Sequence, residues 1–342
     1  MKPMRERPPD ACPRNDDPAP AVELPCDCRR RALILGLPVT LLSVAGVAGL
    51  GLWAGGFLSP APAARMRDHR VPQPKTTPKL VIARGKSPKK NVAAALGKMG
   101  GMKKFVTSRD VVLIKPNVGW DRTPSQAANT DPGVVAALVR ACRDAGAKEV
   151  IVTDCPVNEA ERSFRRSGIL KAAQQVGAQV ILPEQSRYVS LKIPGKLGSW
   201  SVLEPFVRAT KIINVPVAKH HGSALVTAGM KNWIGVVGER RSMLHVGLDE
   251  SIAGLAELMR PTLTVVDATR VLLRNGPRGG DLGDVKREDA IAVSLDPVAV
   301  DAWAATILGF KPAKVGYLGI AAKRKLGRTS FKALSPVTIK VT

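Results

Sequence analysis

DVVLIKPN, residues 110–117, and TDPGVVAALVRACRDAGAKEVIVTD, residues 130–154, are the two segments whose reading decides the fold. The first opens with a continuous apolar run, the pattern of a strand buried on both faces of a parallel sheet. The second starts as a helix should. Asp131 suits the N-cap and Pro132 the first helical position, and Val135, Leu138, Val139 and Cys142 recur at the three- and four-residue spacing of one buried helical face. Gly146 closes that helix, and 149–153 is the next strand. The unit is therefore βαβ, and it predicts an α/β domain with a mainly parallel sheet flanked by helices.

The same alternation continues along the chain. The pattern predicts a helix over 159–176, strands over 179–182 and 212–217, a helix over 246–259 and a strand over 263–266 that ends in Asp267. A glycine-rich loop follows at 275–280, then a strand over 290–294. Asp296-Pro297 starts a helix carrying Asp301 and Trp303, with Asp296 as its N-cap and Asp301 placed to suit the macrodipole. A basic helix over 316–325 and a strand over 337–341 end the chain, and 80–83 is the first strand of the body.

The chain has 342 residues, 45% of them hydrophobic, with 52 Lys plus Arg against 28 Asp plus Glu and a net charge of +24. Residues 1–78 hold 11 basic and 7 acidic side chains, so the excess belongs to the globular body. Such a charge attracts anions in general and selects none. Aromatics are only 4%, and no recognition helix, zinc-finger spacing or basic stretch interleaved with aromatics points to specific nucleic-acid binding.

Residues 1–28 read as a disordered leader rich in Pro, Asp and Arg. Within 29–58, Arg29-Arg30-Arg31 precede 27 uncharged residues, 32–58, long enough to span a bilayer as a helix. The run is diluted by glycines, and Arg30-Arg31-Ala32-Leu33-Ile34 looks like a twin-arginine export signal with Ala61-Pro62-Ala63 as a small-residue cleavage site. A cleaved signal and a retained anchor both fit. Either places the body in the cell envelope on the exported side, membrane-anchored or periplasmic. Residues 59–78 form a proline-rich linker, and 79–342 is the α/β domain.

Parallel sheets bind ligands at the carboxyl ends of their strands, and the chemistry-bearing residues are expected there. Lys115 and Asn117 follow one strand and Asp154 the next, so an ammonium, an amide and a carboxylate share one edge. Lys219, His220 and His221 follow the strand over 212–217, and consecutive side chains alternate, so one imidazole faces the crevice and the other packs elsewhere. Lys231 and Asn232 offer a second cation and a second amide. Asp267 is the expected acid/base or partner of the lysines. His245 is either structural or completes a metal site with His220 and a carboxylate, and Cys155 is either a thiol made reactive by a nearby lysine or, the favoured reading, a small packing residue at a strand end. The 276–280 glycines fit either an anion cradle or a tight turn.

Lys115-Pro116-Asn117, Asn214-Val215-Pro216 before Lys219-His220, Lys231-Asn232 before Gly235, Gly276-Pro277, and Asp296-Pro297-Val298-Ala299-Val300-Asp301 together resemble the bacterial and archaeal family called domain of unknown function 362. The resemblance spans roughly residues 79–310. Its shared Lys-His position implies His220 as the imidazole in the crevice. Some members carry ferredoxin-type clusters, whereas this body holds only Cys142 and Cys155, too few for a four-cysteine cluster in a monomer. A more remote likeness of fold is to the nickel-pincer lactate racemases. No cofactor motif is visible and the cofactor stays unknown.

The expected function is an exported or membrane-anchored enzyme doing proton-transfer or redox chemistry on a small anionic molecule. Lys115, Asn117, Asp154, Lys219, Lys231 and Asn232 would bind it, and His220 and Asp267 would catalyse. The alternatives are an envelope binding protein for an anion or divalent metal and a protein held to a membrane surface by its charge.

Overall fold

The computed structural model describes residues 64–72, 76–183, 187–238 and 240–342, all within the compact unit 58–342. The expected leader, the export signal or spanning helix and the first residues of the linker lie outside the described residues. Among the described residues no helix is long and apolar enough to cross a membrane. Residues 64–72 run irregularly along the body. His69 is buried there, its backbone N–H donating to Arg260 O at 3.2 Å and its carbonyl accepting from the Thr262 hydroxyl at 2.7 Å.

The strands are β1 Leu80–Arg84, β2 Val111–Pro116, β3 Glu149–Val152, β4 Gln179–Val180, β5 Tyr188–Ile193, β6 Gly198–Leu203, β7 Lys211–Val215, β8 Val217–His221, β9 Leu225–Thr227, β10 Leu263–Leu272, β11 Val285–Ser294 and β12 Val337–Lys340. The helices are α1 Pro88–Lys98, α2 Pro132–Asp144, α3 Ala160–Arg166, α4 Ile169–Gln175, α5 Glu204–Arg208, α6 Gly229–Asn232, α7 Leu248–Met259, α8 Pro297–Ile307 and α9 Gly316–Lys323. The main sheet runs β12-β1-β11-β10-β7-β2-β3-β4, with β8 continuing along β10 and β9 folded back on β8. The ladders β10/β7, β7/β2, β2/β3 and β3/β4 are parallel, while β11 is antiparallel to both β1 and β10. The fold is thus α/β around a mixed, mainly parallel sheet, with β5 and β6 as a separate antiparallel pair.

Alternation along the strands builds two cores, one on each face. Val112 and Ile114 of β2 join Leu96 of α1, Leu138 of α2 and Phe164 of α3, whereas Leu113 joins Phe206 of α5, Ile252 of α7 and Trp303 of α8. Asp131 caps α2 by accepting from Gly133 N–H at 2.8 Å, and Asp296 caps α8 by accepting from Ala299 N–H at 2.8 Å.

Three differences from the sequence reading have clear local causes. The helix over 159–176 is two short helices, because Gly168 adopts a left-handed φ of 75° between them. The strand over 212–217 does not stop before the histidines. After Pro216 the chain resumes as β8, so Lys219, His220 and His221 lie inside a strand. Likewise β10 runs ten residues, from Leu263 to Leu272, and Asp267 sits in its middle; polar residues at 267, 269 and 270 had hidden the continuation.

Leu113→Ala should cost about 2–5 kcal/mol of stability in a urea melt, the usual range for emptying a fully buried site. Val246→Ala, at a position 84% exposed, should change it by less than about 0.5 kcal/mol.

Candidate functional site

The carboxyl ends of β2 and β3, the end of β8, the short helix α6 and the turn Arg241–His245 surround one cavity of about 370 Å³. Lys115 enters from β2 on the face opposite Ile114. It is fully buried, and its ammonium donates to Asp154 Oδ1 at 2.5 Å, Asn232 Oδ1 at 3.0 Å and Pro116 O at 3.0 Å. The second Asp154 oxygen accepts from Val118 N–H at 2.6 Å. Burial pushes the Lys115 pKa down, and the Asp154 charge opposes that shift.

Two amides knit these segments together. Asn232 accepts from Lys115 and from Asn117 Nδ2, both at 3.0 Å, and donates to Asn214 Oδ1 at 2.8 Å. Asn117 then has its oxygen left for Lys219, whose ammonium donates to it at 3.1 Å and also to Ala128 O. These contacts fix which end of each amide carries oxygen. Lys219 is 1% exposed with neutral acceptors only, and burial, reinforced by the charge of Lys231, holds its pKa well below the usual lysine range.

The Lys231 ammonium has no hydrogen bond or ion pair among the described residues, although the residue is only 8% exposed and lines the cavity. Burial pushes its pKa down to about 8. The Thr227 hydroxyl, from the β9 residue paired with Lys219, is also buried, lines the cavity and lacks a partner among the described residues. Arg241 lines the wall as well, its guanidinium donating to Cys155 O at 2.5 Å and Pro156 O at 2.6 Å. Among the described residues, Lys115, Lys219, Lys231 and Arg241 thus face a single lining carboxylate, Asp154.

His221, rather than His220, lines this cavity. Its Nδ1 accepts from Ser223 N–H at 3.1 Å and Ala224 N–H at 3.2 Å, so the ring proton sits on Nε2 and the neutral imidazole is a donor. Burial and then the charges of Lys231 and Lys219 push its pKa down to about 3. His245 also lines the cavity, with ring centroids 6.4 Å apart between the two imidazoles.

Two expected catalytic residues are placed elsewhere. His220 points to the other side of β8, where its Nδ1 accepts from Gly276 N–H at 3.2 Å and its ring stacks on Phe310. Alternation does put the two imidazoles on opposite sides of the strand; it was the family's Lys-His position that had pointed to His220. Gly276 comes so close to this strand that a Cβ there would lie 1.9 Å from His220 O. Asp267, mid-strand and 1% exposed, accepts from Asp131 N–H at 2.7 Å and Thr269 N–H at 2.9 Å, tying β10 to the start of α2. Burial raises its pKa, yet it does not reach the lysines. The metal set of His220, His245 and a carboxylate is not assembled, and among the described residues no group of three His, Cys, Asp or Glu could hold a metal ion.

Sequence reasoning passed over three contributors. Arg241 lies in a basic stretch without a motif. Asp301 accepts from Gly229 N–H at 2.6 Å and Met230 N–H at 2.8 Å and so holds the turn that presents Lys231 and Asn232; burial pushes its pKa up to about 7. Gly235 leaves space for the ion pair, since a Cβ would lie 2.3 Å from Asp154 Oδ1 and 2.9 Å from Lys115 Nζ. Cys155 contacts the Tyr188 hydroxyl at 3.3 Å and burial pushes its thiol up to about 11, away from the reactive thiolate form.

Fold and site define an α/β protein with a cationic cavity at the ends of its parallel strands. Residues 112–306, more than half of the chain, match the family described as domain of unknown function (DUF362), and the chain belongs to that family. The thylakoid-associated protein sll1697 of Synechocystis sp. is 28% identical over 252 residues, 71% of this chain and 74% of the relative. Among solved structures, the lactate racemase apoprotein from Thermoanaerobacterium thermosaccharolyticum overlays 68% of this chain and 56% of its own, at 12% identity and a TM-score of 0.38. A Thermotoga maritima protein overlays 70% and 60%, at 11% identity and a TM-score of 0.35. The chain therefore spans less than two thirds of either structural neighbour.

Removing a buried charge and breaking a buried pair should act in opposite directions. Lys231→Met should raise the stability of the unliganded protein, by about 1–3 kcal/mol, whereas Asp154→Ala should lower it by about 3–5 kcal/mol, both read by chemical denaturation. The pH dependence follows from Lys231. Between its folded pKa of about 8 and its ordinary 10.5, the unfolded chain binds more protons than the folded one. Wild-type stability should therefore rise relative to Lys231→Met as pH climbs through that window.

Proposed function

We propose that this protein is an enzyme acting on a small anionic substrate, with the cavity as its active site. One observation carries the reading: buried ammonium groups converge on a space where, among the described residues, the single lining carboxylate is already bound to Lys115. A buried cation without a counter-charge is costly, and a carboxylate or phosphate would supply that charge. Lys219, Lys231 and the Thr227 hydroxyl bind the anionic group. The Nε2–H of His221 stabilises negative charge developing on a reacting oxygen, as a preorganised neutral donor. Asp154 orients Lys115, and Asn117 with Asn232 fixes the lysines in register.

A binding protein without turnover is the second reading. The Nδ1 atoms of His220 and His221 favour it, because both already accept backbone N–H groups and neither ring is left with an unoccupied lone pair. For the location, the family relative described as thylakoid-associated and the expected signal or anchor over residues 29–58 both support a body working at a membrane or in the envelope.

Titration calorimetry of the full chain with pyruvate, L-lactate and inorganic phosphate tests the site. At least one should bind with proton uptake, since the anion raises the depressed lysine pKa values, and Lys219→Met should weaken that binding about ten-fold or more. Binding that survives Lys219→Met and Lys231→Met unchanged would place the anion elsewhere.

A further inference from the structure

The reading of the cavity as a small-anion site gives Lys231 only a share in holding charge, a task that Lys219 and the Thr227 hydroxyl can do without it. Resting on that reading, we propose that Lys231 is a covalent nucleophile that forms an iminium link with the carbonyl carbon of a small 2-oxo acid.

The three lysines differ in what they are free to do. Lys115 is committed to Asp154 and Asn232, and Lys219 to Asn117 and Ala128 O. The side-chain nitrogen of Lys231 alone of the three bonds to nothing among the described residues, while Asp301 and Asn214 hold the backbone of its turn, the latter by donating to Gly229 O at 2.7 Å. A nucleophile needs this combination of a fixed backbone and an uncommitted nitrogen. Burial without a counter-ion also favours the neutral amine, which is the form that attacks, and brings its pKa to about 8. Lysines desolvated beside a second cation act in this way.

The remaining lining groups suit a 2-oxo acid. Lys219 and the unpartnered Thr227 hydroxyl take the carboxylate, and the His221 Nε2–H donates to the carbonyl oxygen. The ammonium of Lys231 first yields one proton to water. Its lone pair then forms the N–C bond as the carbonyl π pair moves onto oxygen, and a second amine proton passes through water to that oxygen, giving a carbinolamine. The C–O bond breaks as the hydroxyl takes up a proton from solvent and leaves as water. The product is a protonated iminium, formed with loss of one water and without any change of oxidation state.

The test is to incubate the full chain with pyruvate or 2-oxoglutarate, reduce with sodium borohydride, and map the secondary amine by peptide mass spectrometry. The expected result is one adduct per chain at Lys231, with Lys231→Arg lowering the yield about ten-fold or more. Trapping should become faster as pH rises towards 8 and then level off, in a site where, among the described residues, Lys115, Lys219, Asp154, Cys155, His221, His245 and Arg241 are the other charged or titratable lining groups. Wild-type mapping decides the matter even if the variant fails to fold. No adduct with either acid, despite calorimetric binding of one of them, overturns the inference and leaves the anion site standing. No adduct and no binding removes both. Adducts spread over surface lysines with Lys231 unlabelled also overturn it.

Discussion

The site depends on burying the Lys115 ammonium beside the Asp154 carboxylate at the end of the sheet. Lys115 is fully buried and Asp154 is 1% exposed, so neither is compensated by solvent. Their 2.5 Å pair is supported by three neutral contacts: Asn232 and Pro116 O on the lysine, Val118 N–H on the aspartate. A pair of this kind is worth little as a net source of stability, because desolvation offsets the Coulomb gain. Its effect is positional. It draws the ends of β2 and β3 together and sets Asn232, and through Asn232 the helix α6 that carries Lys231.

From that pair outward each contact has one geometric consequence. Asn232 fixes Asn117, Asn117 fixes Lys219, and Asp301 from the far side of the chain fixes the turn at Gly229. Among the described residues, negative charge is thus placed against one lysine, and the others have neutral neighbours or none. Hydrophobic packing alone would not select that outcome, since a leucine at 219 or 231 would suit the surrounding core better than an ammonium. An unmatched cation held by such a network is what supports the reading of the cavity as a candidate binding site.

Much of this was legible in the sequence. The apolar run at 110–114, the caps at Asp131 and Asp296 and the alternation of strands with helices have local causes, and local causes are visible in a sequence. Lys115, Asn117, Asp154, Lys219, Lys231 and Asn232 were found because each follows or interrupts an apolar segment where a polar residue needs a reason. The choice between His220 and His221 was not legible. It turns on Pro216, which interrupts the strand and lets it resume as β8, and a sequence pattern does not give the phase of the strand after such a break. Asp267 was misplaced for a related reason: β10 continues through polar residues because β11 pairs with it from a distant part of the chain. Asp301 was read as serving its own helix, whereas its carboxylate caps another.

The central claim is that the cavity is short of negative charge until an anion enters, and the ionisation of its lysines measures this directly. In protein labelled with 13C and 15N at lysine, the side-chain resonances of Lys115, Lys219 and Lys231 can be titrated with and without a small carboxylate. The account predicts that Lys231 titrates near 8 in the free protein and moves upward when the anion binds. All three lysines titrating near 10.5, unmoved by the anion, would contradict it.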